Sequence, residues 1–150
     1  MSGTAFSDIF DSFMLLVNDY KLVALYQSSA VDFETYLSGW LDYAIIDFNN
    51  CNQSLAYSST TFTQTLTMQN RLILANLMVK YWMAKEVQDI MEMRLHIQDG
   101  DFKTYSEAQN LQTKSAHLDK IKESVSQLLV DYGLSKNDWT AWFSGTFYVP

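Results

Sequence analysis

Residues 67 to 96 read TMQNRLILANLMVKYWMAKEVQDIMEMRLH, and this stretch decides the fold. Between Leu72 and Ala84 only Asn76 and Lys80 interrupt an apolar run, and no Gly or Pro breaks it. A helix that is apolar on nearly every side must be covered on most sides. The stretch is therefore expected to be the central helix of the domain. At 1.5 Å per residue its roughly 28 residues would span about 42 Å, more than a compact domain of this size needs. One end is expected to project or to pack against a neighbouring subunit.

Outward from this element the pattern stays helical. Upstream, Phe33, Leu37, Trp40, Leu41, Ala44, Ile45 and Phe48 recur at helical spacing and predict an amphipathic helix. Asp32, Glu34, Asp42 and Asp47 lie off that stripe, so its opposite face is expected to be acidic and solvated. Phe6, Phe10, Phe13, Met14 and Val17 predict a short first helix, capped by Ser7 or Thr4. Asn18, Asp19 and Tyr20 read as a break, followed by a linker that ends near Ser28 and Ser29. Downstream, Gln98 to Asp101 form a turn that stops the central helix. Ser106 and Gln109 have the spacing of a capping box for a last helix. Leu111, Leu118, Ile121, Val125, Leu128, Leu129 and Tyr132 give that helix a near-heptad seam, and Gly133 reads as its stop. Residues 49 to 70 hold fifteen Ser, Thr, Asn or Gln and no charge, and are expected to form a long ordered loop. Within it Phe62 and Leu66 either pair in an extended ribbon or anchor the loop to the helices. The expected class is all-α: a bundle of about four helices with a long central one, a polar loop and an extended C-terminal arm.

Composition narrows the functions. Five Gly, one Pro and one Cys in 150 residues exclude a collagen, a disulfide scaffold and a turn-dense β-sandwich. A net charge of −7 lacks the basic footprint of a protein that grips nucleic acid phosphates. Residues 1 to 70 hold seven acids against Lys21 alone, so the field belongs to the first half. No Lys or Arg precedes the apolar stretch Phe13 to Val17, so a secretory signal is not expected and the chain reads as soluble and not exported. Cys51 has no second thiol and reads as a small core residue.

The chain carries few residues in patterns that support chemistry. His96 and His117 lack partners at metal-ligand spacing, and the Glu92 to His96 pair is not the Glu-x-x-His of a carboxylate-bridged bundle. There is no GxSxG, and the glycines at 3, 39, 100, 133 and 145 are too scattered for a phosphate loop. Asp99, Gly100 and Asp101 lack the later glutamate of a calcium loop. No enzyme activity and no cofactor or metal are expected. Met78, Met83, Met91 and Met93 read as core fillers, and secondarily as a plastic partner groove. Trp139, Trp142, Phe143, Phe147 and Tyr148 fall within twelve residues that carry no charge. Burying each such ring is worth about 2 kcal/mol, so residues 139 to 150 are expected to be a docking arm that follows a helical domain over residues 1 to 138.

The succession YLSGWLDYAIIDFNNC at 36 to 51, RLILANLMVKYWMAKEVQDIMEMRL at 71 to 95 and DGDFKTYSEAQNLQTKSAHLDKI at 99 to 121 resembles the small helical head-to-tail connector proteins of tailed bacteriophages. The likeness is one of helix order, with a YW-containing central helix followed by a DFKxYS-like turn. It implies a virion neck protein, made in the host cytoplasm, that forms a ring of about twelve copies under the portal. Such a ring would contact the portal protein and a tail or second neck protein, and DNA would pass through its lumen without specific binding or any membrane. On this reading the arm is a docking element, and Asp32, Glu34, Asp42 and Asp47 are candidate lumen-facing acids. The runner-up is a cellular helical adaptor that binds a partner helix through its Met-rich and aromatic surface.

Overall fold

The computed structural model describes residues 3–96 and 104–137. Five helices and one small hairpin follow in order: α1 (Phe6–Leu16), α2 (Tyr20–Ser28), α3 (Ala30–Asp47), β1 (Tyr57–Ser58), β2 (Thr61–Phe62), α4 (Met68–His96) and α5 (Thr104–Lys136). The architecture is a helical bundle, as the periodicities require. Helix α4 is its centre and packs on α1, α3 and α5. Ile73, Leu74, Ala75, Leu77, Met78 and Val79 are all buried, so neighbours cover α4 on several sides. From Gln88 to Glu92 no side chain is buried, and Met91 is half exposed.

Each neighbour buries one stripe against α4. Phe6, Ile9, Phe10 and Phe13 do so from α1, and Phe33, Leu37, Leu41 and Ala44 from α3. From α5, Leu118, Val125 and Tyr132 are buried at a strict seven-residue spacing, with Ile121, Leu128 and Leu129 packed beside them. A core assembled from three such stripes is held chiefly by the roughly 25 cal/mol per Å² of apolar surface removed from water.

Several boundaries differ from the sequence reading. Residues 20 to 28, expected as linker, form α2: the Asp19 side chain accepts from Lys21 N at 2.6 Å and caps it. Only Leu22 of this helix is buried, which is too little apolar repetition to leave a periodic signal. Tyr26 meets Phe33 of α3 edge-on at 5.2 Å, and Ser29 then caps α3 by accepting from Asp32 N at 3.2 Å. Helix α1 has Ala5 at its N-cap and no side-chain cap, because the Thr4 hydroxyl instead accepts from Leu66 N at 2.8 Å. Helix α5 starts at Thr104, so Ser106 lies inside its first turn and is not its cap. A cap is worth only about 1 kcal/mol and does not fix a helix start to within two residues. Gly133 does not end α5, which continues to Lys136. A Cβ there would stand 3.5 Å from Asn50 Nδ2, and Asn50 donates to Leu129 O at 3.4 Å. That separation is ordinary van der Waals contact, so the loop does not require a glycine there, and packing carries the helix onward past it. The Gln98 to Asp101 turn and the 139 to 150 arm lie outside the described residues.

The polar segment 49 to 67 is tied inward. Asn70 is fully buried, and its Nδ2 donates to Asn52 Oδ1 at 3.2 Å and to Gln53 Oε1 at 2.7 Å. Gln53 Oε1 also accepts from Thr67 N at 2.8 Å. The Tyr132 hydroxyl donates to Asn52 Oδ1 and accepts from Asn52 N at 3.0 Å. Burial raises the Tyr132 hydroxyl above its ordinary pKa. Cys51, half-buried, packs beside this network. Both readings of residues 60 to 67 hold together: β1 pairs antiparallel with β2, while Phe62 and Leu66 are buried anchors. The segment at residues 3 to 6 joins this hairpin, since Phe62 N donates to Thr4 O at 2.8 Å and Phe6 N to Thr60 O at 2.9 Å.

Candidate docking surfaces

Two surfaces combine apolar exposure with charge. The first is the outer side of α2 and α3. Tyr20, Val23 and Tyr26 on α2 and Val31, Tyr43 and Ile46 on α3 are exposed, with Ile46 reaching 75%. Tyr36, Trp40, Tyr43 and Tyr81 form a ladder of rings whose successive centroids lie 5.9, 6.2 and 5.4 Å apart. Lys80 closes the ladder by standing 4.5 Å from the centre of the Tyr81 ring while pairing with Asp47. Burial is the main cause that raises the Tyr81 hydroxyl above its ordinary pKa.

The four acids expected on one wet face do not share it. At about 100° per residue, Asp32 and Asp42 leave α3 on the side away from buried Leu37 and Leu41, whereas Glu34 and Asp47 flank the buried stripe. Spacings of 2, 8 and 5 residues along an α-helix cannot align four side chains. Two of them are also engaged within the chain. Asp47 pairs with Lys80, and Asp42 accepts from the Tyr57 hydroxyl at 2.9 Å, which raises the Tyr57 pKa. Asp32 and Glu34 are exposed.

The second surface is a groove of about 630 Å³ between the end of α1, α4 and α5. Val79, Trp82 and Met83 of α4 and Ile121 and Val125 of α5 make its floor. Trp82 is held there by an edge-on contact with Phe13 at 6.2 Å. Lys114, His117 and Lys120 follow one edge of α5 along the rim, three residues apart. Among the described residues no acid pairs with any of the three. The groove escapes a reading of helical periods because its walls come from three separated segments. The repeat of basic residues at 114, 117 and 120 is the trace it leaves in the sequence.

The chain matches no family model, no curated protein and no solved structure. Among the described residues no three His, Cys, Asp or Glu side chains gather in a way that could hold a metal ion, and no helix is long and apolar enough to cross a membrane. Of the methionines read as fillers, Met78 is buried, Met83 lines the groove and Met91 is exposed. The side chain of Met93 and the arm residues Trp139, Trp142, Phe143, Phe147 and Tyr148 fall outside the described residues.

Proposed function

We propose that this chain is a structural protein of a bacteriophage neck. In this reading about twelve copies form a ring under the portal, join the DNA-filled head to the tail and let DNA pass through the lumen. The observation that carries the reading is the apolar exposure of the α2 and α3 side, where Tyr20, Tyr26, Val31, Tyr43 and Ile46 are each more than half exposed. Large apolar side chains exposed together on two successive helices suit a surface that meets other chains. The order of helices resembling head-to-tail connectors gives that surface its context. The aromatic segment 139 to 150 adds a docking element toward a neighbouring copy, the portal or the tail.

A fluorescent or gold label on this chain is expected at the head-to-tail junction of purified particles from a phage that encodes it. Its deletion is expected to leave DNA-filled heads without joined tails. Particles that lack the chain, or that assemble and infect normally after its deletion, would overturn the reading. The half-buried Met83 beside Trp82 in the groove favours the adaptor as second reading. That reading expects a small complex with one partner helix and no association with virions.

A further inference from the structure

The two docking surfaces carry opposite charge and point away from different neighbours of α4. The groove is bounded by α1 and α5, whereas the outer face of α3 lies on the side of α3 turned from the core. The groove has an apolar floor and, on its α5 rim, the unpaired cations Lys114 and Lys120, against the single acid Asp19 at its α1 end, in a chain whose net charge is −7. The outer face of α3 has the complementary make-up. It presents Val31, Tyr43 and Ile46, each more than half exposed, on the side of the helix that carries the acids Asp32 and Asp42. At its middle stands Gly39, exposed within a helix and with nothing inside 4 Å of where its Cβ would be. A mid-helix glycine costs about 1 kcal/mol relative to alanine, and no contact within the chain accounts for this one.

We propose that the groove receives the outer face of α3 from a second copy of this chain. Tyr43 and Ile46 enter against Trp82, Met83 and Ile121, while Asp32 and Asp42 face Lys114 and Lys120. A cavity of about 630 Å³ is in the range that accepts a few large side chains, so it takes the anchors of the helix and not its whole width. The contact is heterologous, because the surface that gives differs from the surface that receives. Each added copy exposes a fresh groove and a fresh α3 face, which yields a closed ring if the rotation closes and a filament if it does not. The two alternative isologous contacts, groove on groove and face on face, would oppose like charges. The inference rests on the neck reading only in requiring that copies meet one another.

The test uses the full chain and two charge reversals. Lys114→Glu with Lys120→Glu makes groove and α3 face both acidic, and Asp32→Lys with Asp42→Lys makes both basic. In sedimentation velocity at low salt the wild type is expected to associate beyond the monomer below 1 mM. Each reversed variant alone is expected to associate about ten-fold or more weakly, with unchanged helical circular dichroism. An equimolar mixture restores assembly, since each variant then offers what the other lacks. Because Asp42→Lys removes the partner of the Tyr57 hydroxyl, Asp32→Asn with Asp42→Asn serves as a milder variant and is expected to weaken association in the same direction. A wild type that stays monomeric at 1 mM, variants that assemble like it, or a mixture that remains dissociated would each overturn the proposal. None of those results bears on whether the chain resides in particles, which the labelling experiment decides separately.

Discussion

At the scale of single residues, Tyr132 joins the last helix to the polar loop by a hydroxyl that both donates to and accepts from Asn52. Tyr132→Phe keeps the ring, which meets Phe48 at 5.1 Å, but leaves Asn52 N without its acceptor and Asn52 Oδ1 with Asn70 alone. The expected loss is about 1 to 3 kcal/mol, read from the denaturation midpoint. The pH dependence has a definite sign. Burial raises the folded-state pKa of Tyr132 above the ordinary value of 10.0, so its contribution is fully present below pH 10 and falls as pH rises through the raised value. The gap between wild type and Tyr132→Phe is therefore expected to be constant near neutrality and to narrow above pH 10. Trp82, buried against Phe13 and flooring the groove, is the other residue on which much depends. Trp82→Ala is expected to cost about 3 to 5 kcal/mol, and a loss below about 1 kcal/mol would remove it from the core.

Among the elements, the hairpin and the segment before α1 form one unit. Phe6, Tyr57 and Phe62 stack edgewise or tilted with centroids 5.1 to 6.2 Å apart, and this cluster holds the hairpin on α1. Gly3 lies so close to the hairpin that a Cβ would fall 1.6 Å from Phe62 O. Gly3→Ala must push the segment off β2 and break its backbone bonds, at an expected cost of about 1 to 3 kcal/mol. Amide exchange at Phe62, whose N–H donates to Thr4 O, is the local readout, and unchanged protection there would contradict the account. Ser59 makes the turn with φ at 57°, a left-handed conformation that no local sequence signal in a run of Ser and Thr announces.

For the whole molecule, the described core closes on α1, α3, α4 and α5 with stripes buried on each. Deleting residues 139 to 150 is therefore expected to leave a folded helical domain with a cooperative thermal transition, while abolishing incorporation into particles. Loss of that transition would make the segment part of the domain's own core and overturn the docking role proposed for it. The acidic character of the first half, seven acids against Lys21, belongs to this scale too. Four of these acids are distributed around α3, and Asp8 and Asp11 lie on α1 and Asp19 at the start of α2, so they are not concentrated on one wall.

The sequence by itself determined the helical class, the central place of residues 68 to 96 and the core stripes of α1, α3 and α5, because each rests on an apolar repeat at the helical period. It also located the anchors Phe62 and Leu66 in a segment otherwise without pattern. Only the tertiary structure decided the rest. Helix α2 forms because Leu22 and Tyr26 find α3 beneath them, although one buried side chain gives no period. Gly133 stays helical because its neighbour Tyr132 is buried and bonded to Asn52 of a loop some 80 residues earlier. The direction in which each acid of α3 leaves, and the basic rim over an apolar floor, depend on which segments meet across the fold. Local rules act over a few residues, whereas those juxtapositions are set by contacts that exist only once the chain has packed.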